Sequence, residues 1–305
     1  MHLVVGVRAI VLFASSASAA LIGRQSGTTI ATLPNDAWIE SIFARSNGQL
    51  LLSRLDTPEL WTLDPSAKQT SKLAGFPNAL GLTGITEISP DVFAVVSGNM
   101  TVKGSISYTP GTWGVWKVDL TSSDPKTTFV KQIPEAGFLI GVTPFNNDTV
   151  LVADAGKGSL YQLSISTGAY SVVLSDATMK AASNAPIAEG IHGIKYSNGT
   201  VYFTNTFGNG FYKVAIDPTT GKSTSSVTPV LASVTNPEDF VLGADGSAFM
   251  ATLSAGVIKV TPDGKSSRVV STSSPSSCAF GRGAGDKGTL YISTSSGTVS
   301  SIDAR

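Results

Sequence analysis

The chain has 305 residues, 21 Lys and Arg against 21 Asp and Glu, and a formal net charge of zero. With only 14% charged residues it offers a polyanion nothing to hold, which excludes nucleic acid as a partner. A lone cysteine, Cys278, rules out an internal disulfide, so stability must come from buried sheet faces, which a chain of this length can supply.

The first predicted element is a signal peptide over residues 1–20. His2 and Arg8 flank a short apolar stretch that ends in the small residues Ala17–Ala20. The stretch is too short to span a bilayer, so a secretory or extracellular protein without a membrane anchor is expected after cleavage. Sequons at Asn99, Asn147 and Asn198 are candidate glycosylation sites compatible with that route. Thr28–Leu33 reads as an orphan strand.

From there a six-residue phrase recurs: ELWTLD (Glu59–Asp64), GVWKVD (Gly114–Asp119), SLYQLS (Ser159–Ser164), GFYKVA (Gly210–Ala215), GVIKVT (Gly256–Thr261) and a degraded TVSSID (Thr298–Asp303). Starts fall 42 to 55 residues apart, the period of a four-stranded propeller blade. A half-buried strand precedes each copy, for example VLVAD (Val150–Asp154) and VYFTN (Val201–Asn205), several of them introduced by turns such as Asn198-Gly199 and Asp245-Gly246. The reading is an all-β, six-bladed propeller of four-stranded antiparallel blades over residues 21–305, one domain, with Asp176–Ala182 as its only briefly helical segment. Thr28–Leu33 should complete the sixth blade, so that no bare sheet edge remains between the chain ends.

If the recurring phrases are second and third strands, the innermost strands start just before them. One mouth of the channel then gathers an inner ring of Glu40, Thr83, Ile140, His192, Asp239 and Ser277 or Cys278. Glu238 is an alternative to Asp239. An outer ring is Arg54, Val96, Asp154, Asn205, Thr252 and Thr294. Loop lengths favour the same mouth. Ser97–Trp113 is seventeen residues long and carries Met100, Ile106, Tyr108 and Trp113, which reads as a lid, and Ala177–Glu189 is also long. Glu40, Asp239 and His192 form a carboxylate–imidazole set suited to proton transfer or metal binding. HExxH, GxSxG and P-loop motifs are absent. Cys278 has no activating neighbours and is expected in the core.

The layout, the inward Glu40 in WIESI and the Pro237-Glu238-Asp239 entry to blade five resemble the gluconolactonase and senescence-marker-protein superfamily. The resemblance implies a divalent metal, often calcium, held at the mouth by Glu, two Asn and Asp. Glu40 and Asp239 match the acidic positions, but Ile140 and His192 stand where the Asn ligands should be. Calcium wants six or more oxygens, isoleucine offers none, and imidazole suits other metals better. The expectation is therefore no metal and no cofactor, with calcium as the minority alternative.

Within the superfamily, NDAWIESI (Asn35–Ile42), GLTGITEISPDVFAVVSGN (Gly81–Asn99), GTWGVWKVDL (Gly111–Leu120) and NPEDFVL (Asn236–Leu242) resemble a secreted fungal branch that contains hetero-Diels-Alderases of meroterpenoid biosynthesis. That resemblance implies addition of a tropolone or related o-quinone methide to an alkene of humulene. On this reading Glu40, His192 and Asp239 are catalytic. Trp38, Met100, Trp113, Phe138, Ile140, Phe207 and Phe240 would line an apolar pocket, with Arg54, Asp154, Asn205, Glu238 and Thr252 as polar groups. The expected partners are small apolar molecules, and the expected state is a monomer or homodimer. The alternatives are a metal-dependent lactonase or esterase and a non-catalytic binding propeller.

Overall fold

The computed structural model describes residues 27–102 and 106–305. The expected signal peptide lies outside the described residues. Six four-stranded antiparallel sheets, each running outward from an inner strand, follow one another along the chain. The inner strands are Ile39–Ala44, Gly81–Ser89, Leu139–Pro144, Ile191–Ser197, Pro237–Leu242 and Pro275–Phe280. Each contacts the next and the sixth contacts the first, which closes the ring around a channel. Thr28–Thr32 pairs with Thr298–Asp303 and becomes the outer strand of blade six, as the orphan strand predicted. The only helix among the described residues is a 3-10 turn at Ala177–Met179, capped by the Asp176 carboxylate.

Alternation of apolar and polar residues buries one set of side chains between adjacent blades. The largest cluster runs from Leu55 and Ala94 through Trp113, Phe138 and Val152 to Phe203 and Ile216. Cys278 is buried in the core, as expected. In blade two the long connection forms a small ladder of Met100–Thr101 with Ser107–Tyr108. It is anchored where Trp113 lies across Gly98; a Cβ on Gly98 would stand 2.3 Å from the indole.

All six inner strands shift register against their second strands at the same place: Ile39/Ser41, Leu82/Ile85, Leu139/Val142, Ile191/Ile194, Pro237/Phe240 and Pro275/Ser277. A bulge leaves one extra residue unpaired and re-aims its side chain. Aligned on the bulge, Glu40, Thr83, Ile140, His192, Glu238 and Ser276 occupy one level of the channel. Ser41, Gly84, Gly141, Gly193, Asp239 and Ser277 occupy the next. The sixth member of the first level is thus Ser276, where Ser277 or Cys278 was expected, and the blade-five member is Glu238.

Hydroxyls tie this bulge level together across blades. Ser53 donates to Thr83 O (2.5 Å), Thr83 to Leu139 O (3.1 Å), Thr204 to Glu238 O (2.7 Å) and Ser276 to Ile39 O (2.5 Å). At the glycines of the second level the neighbouring backbone comes too close for a side chain. A Cβ on Gly84 would meet Ile140 O at 2.4 Å, and one on Gly141 would meet His192 O at 2.3 Å. The site is therefore carried on strands held rigidly at short range.

A candidate active site of three glutamates and one histidine

Three carboxyl groups converge on one imidazole at the channel mouth where the inner strands begin. The Nε2 atom of His192 lies 3.5 Å from Glu40 Oε1, 3.5 Å from Glu189 Oε1 and 3.3 Å from Glu238 Oε2. Glu40, His192 and Glu238 are delivered by the bulges of blades one, four and five. Glu189 comes from the connection that precedes blade four. All four side chains are buried. His192 Nδ1 is also buried and has no hydrogen-bond partner among the described residues, which favours the imidazole proton on Nε2, facing the carboxyl oxygens.

Burial dominates the electrostatics, because three carboxylates cannot share an enclosed site with a neutral imidazole without severe desolvation and repulsion. Burial pushes Glu40 up to about 7, partly offset by the Trp38 indole N–H, which donates to Glu40 Oε2 at 2.9 Å. Glu189 is pushed up to about 8 by burial and by the Glu40 charge. Glu238 is raised well above the ordinary carboxylate range by burial and by both other glutamates. Burial pushes His192 down to about 4. Near neutral pH the cluster is therefore a neutral imidazole surrounded by proton-bearing carboxyls. Thr206, whose hydroxyl donates to Pro237 O at 2.8 Å, also neighbours Glu189 and Glu238 and offsets part of their rise.

Two segments cover the cluster. Asn205 donates to the carbonyls of Thr178 and Lys180, both at 2.8 Å, and fixes the start of the 177–189 segment. The far end is held by Tyr108, whose hydroxyl donates to Ala188 O at 2.8 Å. The Tyr108 ring stacks on Phe138 at 4.8 Å. The blade-two loop thus braces the segment that supplies Glu189.

The structure distributes the other expected site residues differently from a single pocket. Asp239 stands one level deeper than Glu40, accepting from Lys195 (2.6 Å) and Ser277 (2.8 Å), because the bulge gives the mouth position to Glu238. Arg54, expected as a free polar group, is buried against Asp56 (2.5 Å) and Glu59 (3.5 Å). Asp154 accepts the backbone N–H groups of Gly137, Phe138 and Lys157, and Thr252 bridges Gly256 O and Ala255 N. These outer-ring groups brace turns. In blade two the outer position belongs to Ser97, paired with Leu82 and bonded to the Trp116 indole; Val96 is in the core.

Trp113, Phe138 and Phe240 are fully buried in blade packing, which removes them as pocket walls. Met100 and Ile140 are also buried, Ile140 at the level of His192. Trp38, Tyr108 and Phe207 keep partial exposure. Of the sequons, Asn147 and Asn198 are exposed and Asn99 is half-buried.

The metal that the fold family implies was tested against these donors. Calcium does not fit: Ile140 contributes no oxygen and His192 contributes a nitrogen. A transition-type divalent ion fits better, since ligand atoms of Glu40, His192 and Glu238 all lie within 4.8 Å of one another. It would have to displace the protons these carboxyls hold.

A bulged six-bladed ring with acidic groups at one mouth defines a class of protein, and residues 38–296 match the SMP-30/Gluconolactonase/LRE-like region family. The chain belongs to that family. It is 28% identical over 302 residues to a candidate hetero-Diels-Alderase of Phoma sp, covering 85% of this chain and 84% of that protein. It is 25% identical over 305 residues to another candidate hetero-Diels-Alderase, of Sarocladium schorii, covering 85% and 75%. Among solved structures, the calcium-binding protein regucalcin from Agrobacterium tumefaciens superposes with a TM-score of 0.68 at 16% identity, covering 92% of this chain and 96% of that one. A luciferin-regenerating enzyme superposes with a TM-score of 0.62 at 14% identity, covering 87% and 90%. The two structures speak to fold alone.

Proposed function

We propose that the protein is a hetero-Diels-Alderase-like pericyclase of fungal secondary metabolism, acting on small apolar molecules without a metal. The observation that carries this reading is the set of three buried carboxyls gathered on one imidazole. The similarity to two candidate hetero-Diels-Alderases over most of the chain supports it. The substrates fitting this chemistry are a hydroxymethyl tropolone or related enol, as o-quinone-methide precursor, and a humulene-type alkene. On the same proposal the protein follows the secretory route.

The steps balance without an external reagent. A carboxyl of the cluster, Glu40 in our assignment, protonates the departing hydroxyl, and the C–O bond breaks to release water. The enol O–H proton then returns to the carboxylate left on Glu40, so the cluster ends with the same number of protons. The resulting carbonyl and exocyclic methylene form the heterodiene. Its oxygen and terminal carbon then bond to the two alkene carbons, closing a dihydropyran. The Nε2–H of His192 is placed to donate to the carbonyl oxygen, where negative charge develops. Holding diene and alkene together can remove roughly 7–11 kcal/mol of barrier. Trp38, Tyr108 and Phe207 supply the partly exposed aromatic surface for the apolar partner.

The test is to incubate the protein with humulene and the hydroxymethyl precursor. A single stereoisomer of the adduct, formed faster than without protein, is the expected result. The uncatalysed stereoisomer mixture at the uncatalysed rate would refute the proposal.

A second reading rests on the proximity of Glu40, His192 and Glu238 ligand atoms. Deprotonated, these three could hold a divalent ion that polarises a lactone carbonyl, as a lactonase would require.

A further inference from the structure

The central channel has a second end. Where the inner strands finish, it opens into a chamber of about 510 Å³, the size of a small-molecule site. All six inner strands contribute to its wall, so it is preformed by the ring itself. Phe43, Tyr196, Val241, Leu242 and Phe280 line it and remain only partly buried. Apolar side chains held half-exposed around a concave wall are costly in water and are covered by a ligand of matching polarity.

The chamber is separate from the glutamate cluster. Between them lies a space of only about 10 Å³, bounded by Glu40, Ile140, His192 and Asp239 and by Gly84, Gly141 and Gly193. That is room for about one water molecule. A ligand in the chamber therefore cannot reach Glu40 or His192.

Its polar groups are few and fixed. At the inner end Lys195 Nζ donates to Asp239 Oδ1 at 2.6 Å and lies 5.2 Å from the centre of the Phe240 ring. Asp239 Oδ2 is held by Ser277 at 2.8 Å, so the pair cannot swing freely. At the rim Arg282 bonds Glu87 (2.5 Å) and Ala44 O (3.1 Å) and lies over Phe43. Two cations and two anions line the chamber, so its net charge is zero. An ammonium has three N–H donors, and Asp239 takes one, leaving donors for a ligand oxygen. An anionic ligand on Lys195 would be driven against the Asp239 carboxylate; a neutral carbonyl would not.

We propose that this chamber is a second binding site, taking a neutral, mainly hydrocarbon molecule with a carbonyl oxygen, as in terpenoids and quinones, and that the oxygen sits on the Lys195 ammonium. Nile red, neutral and flat with one carbonyl, is the probe, and the anionic dye 8-anilinonaphthalene-1-sulfonate is its counterpart. Fluorescence titration of the full chain should show saturable binding of one Nile red per chain and no comparable binding of the sulfonate. Val241→Trp, which fills the chamber, should abolish Nile red binding. Lys195→Met, which keeps a side chain of similar length, should weaken it by about 10-fold, the loss expected of one hydrogen bond from a charged donor. Thermal melts identify any variant that fails to fold, and Lys195→Met serves if Val241→Trp does. The proposal is overturned by an absence of saturable Nile red binding, by folded variants that bind unchanged, or by equal affinity for the sulfonate.

Discussion

Glu40→Gln should slow adduct formation from the hydroxymethyl precursor by roughly 10²- to 10⁴-fold, the range for losing a positioned proton donor. The amide has the shape of the carboxylic acid, and its oxygen can still accept from the Trp38 indole at the 2.9 Å contact, so the mouth stays packed. What the variant lacks is a transferable proton. If the quinone methide is instead released in solution by an enzyme-independent route, the same variant should keep most of its acceleration, because cycloaddition needs only positioning and a hydrogen-bond donor. Equal losses on both substrates would show that Glu40 acts by placement. Full activity on both would remove it from the reaction. Catalysis and melting temperature measured side by side separate these outcomes from simple unfolding.

The second large effect is on pH. A cluster that works as an acid should lose kcat/KM as pH rises through about 7 to 8, where Glu40 and Glu189 release their protons. Stability should fall from above the ordinary value of 4.5 up to those same folded values. The folded carboxyls hold protons more tightly than unfolded ones, so their stabilising contribution is full in acid and lost as pH climbs through the folded values. His192 acts oppositely, losing stability only as pH falls from 6.5 toward 4, and is neutral in both states above that. Glu189 alone binds its proton to about 8. The 1.5 pH units from 6.5 to 8 therefore cost about 2 kcal/mol. Denaturant titrations at pH 6.5 and 9 should reveal at least that loss in metal-free protein, and Glu189→Gln should reduce it, leaving the share of Glu40 and Glu238. A pH-independent stability with an alkaline-active enzyme would contradict protonated carboxyls at the mouth.

The architecture was legible because it repeats. ELWTLD, GVWKVD and their relatives mark third strands one blade apart, and TTIAT completes the last sheet as its isolation at the chain start suggested. The mouth was legible in part. Glu40, Ile140 and His192 could be aligned from strand starts, but the choice between Glu238 and Asp239 depends on where a bulge shifts the alternation by one residue, and the short run Pro237–Leu242 is too brief to locate that shift. Glu189 was hidden for a different reason. It belongs to no repeat and reaches the cluster through a long connection folded back over the channel and pinned by Asn205 and Tyr108. Arg54, Asp154 and Thr252 read as mouth residues because strand ends face it, yet nearby partners claim their polar atoms. Lys195 and the opposite chamber carried no motif; only the closed ring of inner strands brings them together.

On the proposed reading the carboxyls of Glu40, Glu189 and Glu238 hold protons and not a divalent ion. Elemental analysis of chelator-treated protein, with adduct formation assayed on the same sample, examines that most directly. The account predicts undiminished adduct formation in protein holding well under one divalent ion per chain. One ion per chain whose removal abolishes activity, and whose return restores it, would contradict the account.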